Sequence, residues 1–318
     1  MPSSCRHLLL CLVLLGFVLR GQQVTPTPAD SLFQFAATQL SQGKYQEAEE
    51  SFRKLADLEP TVSRGILGIA EVWIAQKKGD DALRFLQEES GKHPDRPDLH
   101  FAIGNLALRS AKYDLALAEF QLVLDRFDRN SKAAAEIYLR MSDAYRLKGD
   151  LDFAATVLQQ AQTLQPDNLV VLNTLAGTLY VAGQKERAAD QYRKILELDP
   201  KSGAALNNLA YMLADTDPTL ALAYAHRARQ LFPNEPQIAD TLGWVYFKLK
   251  RADEAISLFR EVVQKEPRQA TYRYHLAAAL ELKGDHVEAR KESEAALKSN
   301  PSKDDEEKIN ELLRNLRR

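Results

Sequence analysis

The stretch that decides the fold runs from residue 240 to 267, DTLGWVYFKLKRADEAISLFREVVQKEP. Its first half carries Leu242, Gly243 and Tyr246, its second half Ala255 and Phe259, and Pro267 closes it. The arrangement recurs along the chain. Its alanine falls at Ala48, Ala82, Ala116, Ala154, Ala188, Ala221, Ala255 and Ala289, at intervals of 34, 34, 38, 34, 33, 34 and 34 residues. Twelve residues later stands Pro60, Pro94, Pro166, Pro200, Pro233, Pro267 or Pro301, with Asp128 instead in the third unit. Twelve residues earlier (eleven in the sixth unit) lies a small residue: Ala36, Ala70, Gly104, Ser142, Ala176, Ala210, Gly243 and Ala277.

Each unit reads as two amphipathic helices, because its apolar residues are spaced three and four apart. In the fifth unit the first helix is predicted over 170–182, with Leu172, Leu175, Ala176 and Leu179 on one face. The second is predicted over 185–198, with Ala188, Tyr192 and Ile195 on its face. Between them Gly183 supplies a left-handed turn, as do Gly43, Gly149 and Gly284 elsewhere. Asp150 and Asp285 are expected to cap the helices that follow, Asp285 with Glu288 in a capping-box pattern. The small residues let paired helices approach closely, and proline stops the second helix. A pair this short cannot bury its apolar face alone, so successive pairs must stack.

The chain resembles the tetratricopeptide repeat family, a helix–turn–helix unit of about 34 residues. The resemblance implies an all-α solenoid, a right-handed superhelix of eight units at 29–62, 63–96, 97–130, 135–168, 169–202, 203–235, 236–269 and 270–301. The departures are local. Four extra residues around Asp128-Arg129-Asn130-Ser131 predict a kink or altered twist. The sixth unit has lost a turn residue, so Pro218 is expected to begin its second helix, and the second unit has a displaced glycine, Gly79. Residues 302–318, with Ile309, Leu312, Leu313 and Leu316, read as the capping helix of a solenoid end, acids first and arginines last.

The N-terminus has a different character. Arg6 and His7 precede twelve apolar residues, Leu8 to Leu19, which is too short for a membrane span of about 20 residues and fits a secretory signal over 1–21. An uncleaved short anchor is the alternative, because Leu19 suits the cleavage rule poorly. Residues 22–28 read as a flexible leader. The expected location is the bacterial periplasm or envelope, with secretion as the other possibility and membrane contact only through an uncleaved N-terminus.

The 318 residues are 45% hydrophobic and 27% charged with net charge −2, an ordinary globular composition. Residues 1–21 include Arg6 and Arg20 and no acid, so the remainder carries −4, which opposes nucleic-acid binding. The two cysteines, Cys5 and Cys11, lie in the N-terminal segment, so the repeats hold no thiol chemistry. Catalytic and phosphate-binding motifs are absent, and the histidines fall at unrelated repeat positions without an i, i+4 pair. The expectation is a non-enzymatic protein with no cofactor and no metal. In the resembled family the first helices line a groove for a peptide or partner helix. The residues placed there are Asn173, Tyr180, Asn207, Asn208, Tyr211, Asp240, Trp244, Phe247, Lys248 and Tyr274. The aromatic groups suit interface anchors and the amides suit a peptide main chain. Any one ring by itself reads more readily as core, whereas the row reads as a binding surface. The family's two-carboxylate clamp of Lys and Asn is not reproduced, so that specificity does not carry over. The chain is expected to bind a protein or peptide, with an accessory role in an envelope biosynthesis or export machine as the alternative.

Overall fold

The computed structural model describes residues 26–126 and 131–316, an all-α solenoid with seventeen helices and no strand among these residues. The chain divides into two compact units after Pro166. The first holds four helix pairs: α1 (Pro28–Ser41) with α2 (Tyr45–Leu58), α3 (Arg64–Ala75) with α4 (Gly79–Lys92), α5 (Pro97–Arg109) with α6 (Tyr113–Leu124), and α7 (Lys132–Lys148) with α8 (Leu151–Leu164). The second holds α9 (Leu169–Val181) with α10 (Lys185–Leu198), α11 (Gly203–Leu213) with α12 (Pro218–Leu231), α13 (Pro236–Lys248) with α14 (Ala252–Lys265), α15 (Ala270–Lys283) with α16 (His286–Leu297), and the terminal α17 (Lys303–Asn315).

The small residues do what their size allows. Ala36, Ala70, Ala176, Ala210, Ala277 and Ser142 are completely buried, each in the first helix of its pair. Opposite Gly104 lies the ring of Phe120 on the paired helix, and a Cβ on the glycine would stand 2.6 Å from it. Gly243 meets Phe259 in the same way at 2.7 Å. Phe52, Phe120 and Phe259 are fully buried by this close approach, which is worth about 1.5–3 kcal/mol of apolar transfer per side chain.

In seven of the eight pairs the inter-helix turn uses one left-handed residue. It is glycine at Gly43, Gly149, Gly183 and Gly284, and a residue with a Cβ at Lys77, Ala111 and Lys250, where φ is 64°, 56° and 61°. The displaced Gly79 therefore leaves Lys77 to make the turn and itself opens α4. Pro218 begins α12 as expected, and the Asp217 carboxylate caps it by accepting from the Leu220 N–H at 3.0 Å. Asp285 accepts from the Glu288 N–H at 3.1 Å, but Glu288 turns away to Arg260, so the capping box is only half made. Asp150 makes no side-chain cap bond; its carboxylate leans toward Lys148 at 3.5 Å. A complete capping box forms instead at Thr27 and Asp30.

Of the insertion expected around Asp128-Arg129-Asn130-Ser131, the first three residues lie outside the described part. Its last, Ser131, caps α7, which at 17 residues is the longest helix among the described residues. Residues 1–21, expected as a signal or short anchor, and most of the expected leader likewise lie outside the described residues. No helix among the described residues is long and apolar enough to cross a membrane. At the other end α17 packs on α15 and α16, burying Ile309 and Leu312, and the Thr271 hydroxyl donates to Asp305 at 2.8 Å. Its acids Asp304, Asp305 and Glu306 fill the first turn, where the helix dipole favours them.

Candidate functional site

Within the second unit, α11 touches α13 and α13 touches α15, so these first helices form one face. Eight of the ten candidate residues lie on these helices, Asn173 and Tyr180 lie on α9, and the structure brings two groups of them together.

The larger group surrounds His275. Its Nδ1–H donates to Asp240 Oδ1 at 2.8 Å, with both residues buried. Trp244 lies against the imidazole with ring centroids 4.4 Å apart, and Phe247 stacks on Trp244 at 5.0 Å. The Lys248 ammonium sits 4.8 Å from the Trp244 centroid and pairs with Asp215 at 2.5 Å. Tyr274 approaches His275 at 5.7 Å and, with Phe247 and Leu316, packs against the cluster of Ala277, Ala278 and Leu312. Burial pushes the Tyr274 phenol above its ordinary pKa, and the Tyr272 phenol up to about 12, the latter helped by Asp240. Trp244, Phe247 and Tyr274 are half-buried: Trp244 packs on Phe247 and on His275, Tyr274 approaches His275, and Asp240 turns inward to the buried donor of His275.

The second group is more open. Tyr211 is 39% exposed. Burial of its hydroxyl, with Tyr180 and Asp240 nearby, holds its phenol above the ordinary value. Asn207, one turn earlier on α11, has a buried Oδ1 with no hydrogen-bond partner. Asn208 faces the other way and bonds the Tyr192 hydroxyl. Asn173 donates to the Leu169 carbonyl of its own helix at 2.7 Å. Of the three amides, Asn207 alone is left with a buried acceptor unanswered.

In the first unit a cleft of about 460 Å³ is lined by Glu49, Trp73, Lys78, Asp81, Arg84, Phe85 and Glu88. The Trp73 indole N–H donates to Glu49 at 2.9 Å, and burial of Glu49 is outweighed by Trp73 and Arg53, which keep its carboxyl below the usual range. Glu71 on α3 behaves oppositely: burial drives its carboxyl up to about 7. Among the described residues no group of three His, Cys, Asp or Glu side chains is placed to hold a metal ion.

Sequence reasoning passed over His275 and Glu71. The partner of His275 is not a second histidine but a carboxylate 35 residues away, one repeat and one residue. Glu71 occupies the repeat position of Tyr211 and Trp244, one residue after the small residue, and that register was the available signal.

Family models described as tetratricopeptide repeat match residues 39–100, 101–168, 173–236 and 241–304. A tetratricopeptide repeat-containing protein of Pseudomonas aeruginosa is 26% identical over 136 residues, 42% of this chain and 23% of that protein. Cellulose synthase operon protein C of Xanthomonas axonopodis pv. citri is 29% identical over 185 residues, 56% of this chain and 11% of that protein. The chain thus spans less than a quarter of the length of these relatives. A solved structure of MamA from Desulfovibrio magneticus RS-1 aligns with a TM-score of 0.47 at 21% identity, covering 54% of this chain and 97% of that one.

Proposed function

This chain belongs to the tetratricopeptide repeat family, and from that premise we propose that it is a non-enzymatic scaffold whose first-helix face in the second unit holds a segment of a partner protein. The observation that carries the reading is the Asn207 Oδ1, buried without a partner, beside the exposed ring of Tyr211. A buried acceptor left unmade costs about 1–3 kcal/mol, and a main-chain N–H laid over Tyr211 would offset that cost. Aromatic groups with adjacent polar groups are the usual anchors of such contacts.

The reading is tested on an array of acetylated, amidated nine-residue peptides of varied sequence. The full chain should capture a subset, and Asn207→Ala with Tyr211→Ala should weaken capture about tenfold at unchanged helicity. Equal capture by the double variant would remove the second unit's face from the function.

A second reading is favoured by the likeness to cellulose synthase operon protein C: service as an accessory subunit of an envelope machine, exported by the signal at 1–21 or anchored through it. The mass of the mature N-terminus in membrane and soluble fractions decides between cleavage and anchoring.

A further inference from the structure

The first-helix face of the first unit differs chemically from that of the second. At the position one residue after the small residue, three successive repeats carry Glu71, Asn105 and Asp143, where the second unit has Gly177, Tyr211, Trp244 and Ala278. Glu71 is 7% exposed, and among the described residues its carboxylate makes no hydrogen bond and no ion pair. The charge that acts on it is Arg109 of α5, which is exposed and does not close on it. Asn105, half-buried on the same helix, makes no hydrogen bond within the protein. Asp143 is also desolvated enough for burial to raise its carboxyl, against the pull of Arg140 and Arg146.

A carboxylate this little exposed and without a donor from the protein is costly to hold, and such a group calls for an explanation. Helix stability does not supply one, since glutamine or leucine would fill the site without a charge. We propose that this face of the first unit receives a basic side chain, a lysine or arginine of a partner segment, with Glu71 as the carboxylate that takes it. This rests on the reading of the chain as a protein-binding scaffold.

The chemistry selects the ligand. A cationic donor compensates a desolvated carboxylate, and a charge-assisted bond is the strong kind. A group so little exposed is reached by a head on a long methylene stem. Asn105, at the same repeat position on α5, offers its amide to the partner's main chain. Arg109 opposes the incoming cation, but its guanidinium is in water, where screening weakens it. Because burial holds the Glu71 carboxyl near 7, capture of a cation expels a proton, and binding tightens as pH rises through that value.

The same peptide array tests this with the full chain at pH 5 and pH 8. Peptides captured at pH 8 should favour Lys and Arg about tenfold over their norleucine counterparts, and the preference should fade at pH 5. Glu71→Gln should abolish the preference, and Arg109→Gln should strengthen it. Glu71→Asp, which withdraws the charge by one methylene, should weaken it, and decides the matter should the Gln variant not fold. Captured peptides without a basic preference, or an unchanged preference in both Glu71 variants, overturn this inference and leave the scaffold reading intact if the Asn207 and Tyr211 variant still loses capture. No capture by any form overturns both.

Discussion

His275 donates to Asp240 across 2.8 Å, and the two are 5% and 8% exposed. They come from the first helices of adjacent repeats, so the bond ties α13 to α15 beneath the Trp244 ring. It also makes a polar link inside a contact otherwise built from apolar side chains. Removing one member strands the other away from water.

Asp240→Ala should therefore destabilise the second unit by about 2–4 kcal/mol, more than loss of a surface ion pair at about 0–1 kcal/mol. His275→Ala should cost a similar amount, and the double variant clearly less than the sum of the two. Urea denaturation of the four forms measures this coupling. Additive losses would mean that the two side chains stabilise the fold separately.

The inter-helix turn gives a second expectation. Ala111 holds φ at 56° where four other repeats use glycine, and a Cβ in that region costs about 1–2 kcal/mol. Ala111→Gly should stabilise by about 0.5–1 kcal/mol after the added freedom of the unfolded chain is discounted. Gly183→Ala should destabilise by about 1 kcal/mol, through backbone alone, because nothing lies within 4 Å of its Cβ position. Thermal melting of both variants provides the check, and shifts of the same sign would contradict it.

Two glycines inside helices should respond in opposite directions. At Gly104 an added methyl meets the Phe120 ring at 2.6 Å, so Gly104→Ala overpacks the pair and should cost about 1–3 kcal/mol. At Gly177, in the middle of α9, the space is open, so Gly177→Ala should stabilise by about 0.5–1 kcal/mol through helix propensity. Both are read from the same melting curves, and a destabilised Gly177→Ala would mean that the face at α9 is more crowded than the structure has it.

These positions also show what was legible in the sequence. The repeat interval, the small residue and the proline located the helix pairs, and α10 falls on the predicted 185–198, because each signal acts within a few residues of its effect. That Asn207 and Tyr211 share the first-helix face followed from the family resemblance, counted from the small residue. The inward turn of Asp240 did not, since it depends on a donor one repeat away. Nor did the covering of Phe247 and Tyr274, which depends on where α17 comes to rest. Glu71 was hidden for the opposite reason: a carboxylate on a helix reads as solvated until its neighbours have taken the water away.

The pH dependence of stability should report that desolvation. The unfolded Glu71 carboxyl titrates near 4.5, and burial raises it to about 7 in the folded chain, with Arg109 pulling the other way. Between these values the folded state holds the extra proton, so this group's contribution to stability declines as pH rises from about 4.5 to 7 and stays fully unfavourable above. Below 4.5 both states are protonated and the cost is absent. Glu71→Gln removes the charge without changing the shape. The variant should match the wild type at pH 4 and exceed it by about 3 kcal/mol at pH 8. Arg109→Gln should steepen the wild-type decline, because it takes away the one charge that favours ionisation. Denaturation midpoints at four or five pH values give the difference curve; a curve flat across this window would mean that water reaches Glu71 freely in the folded chain.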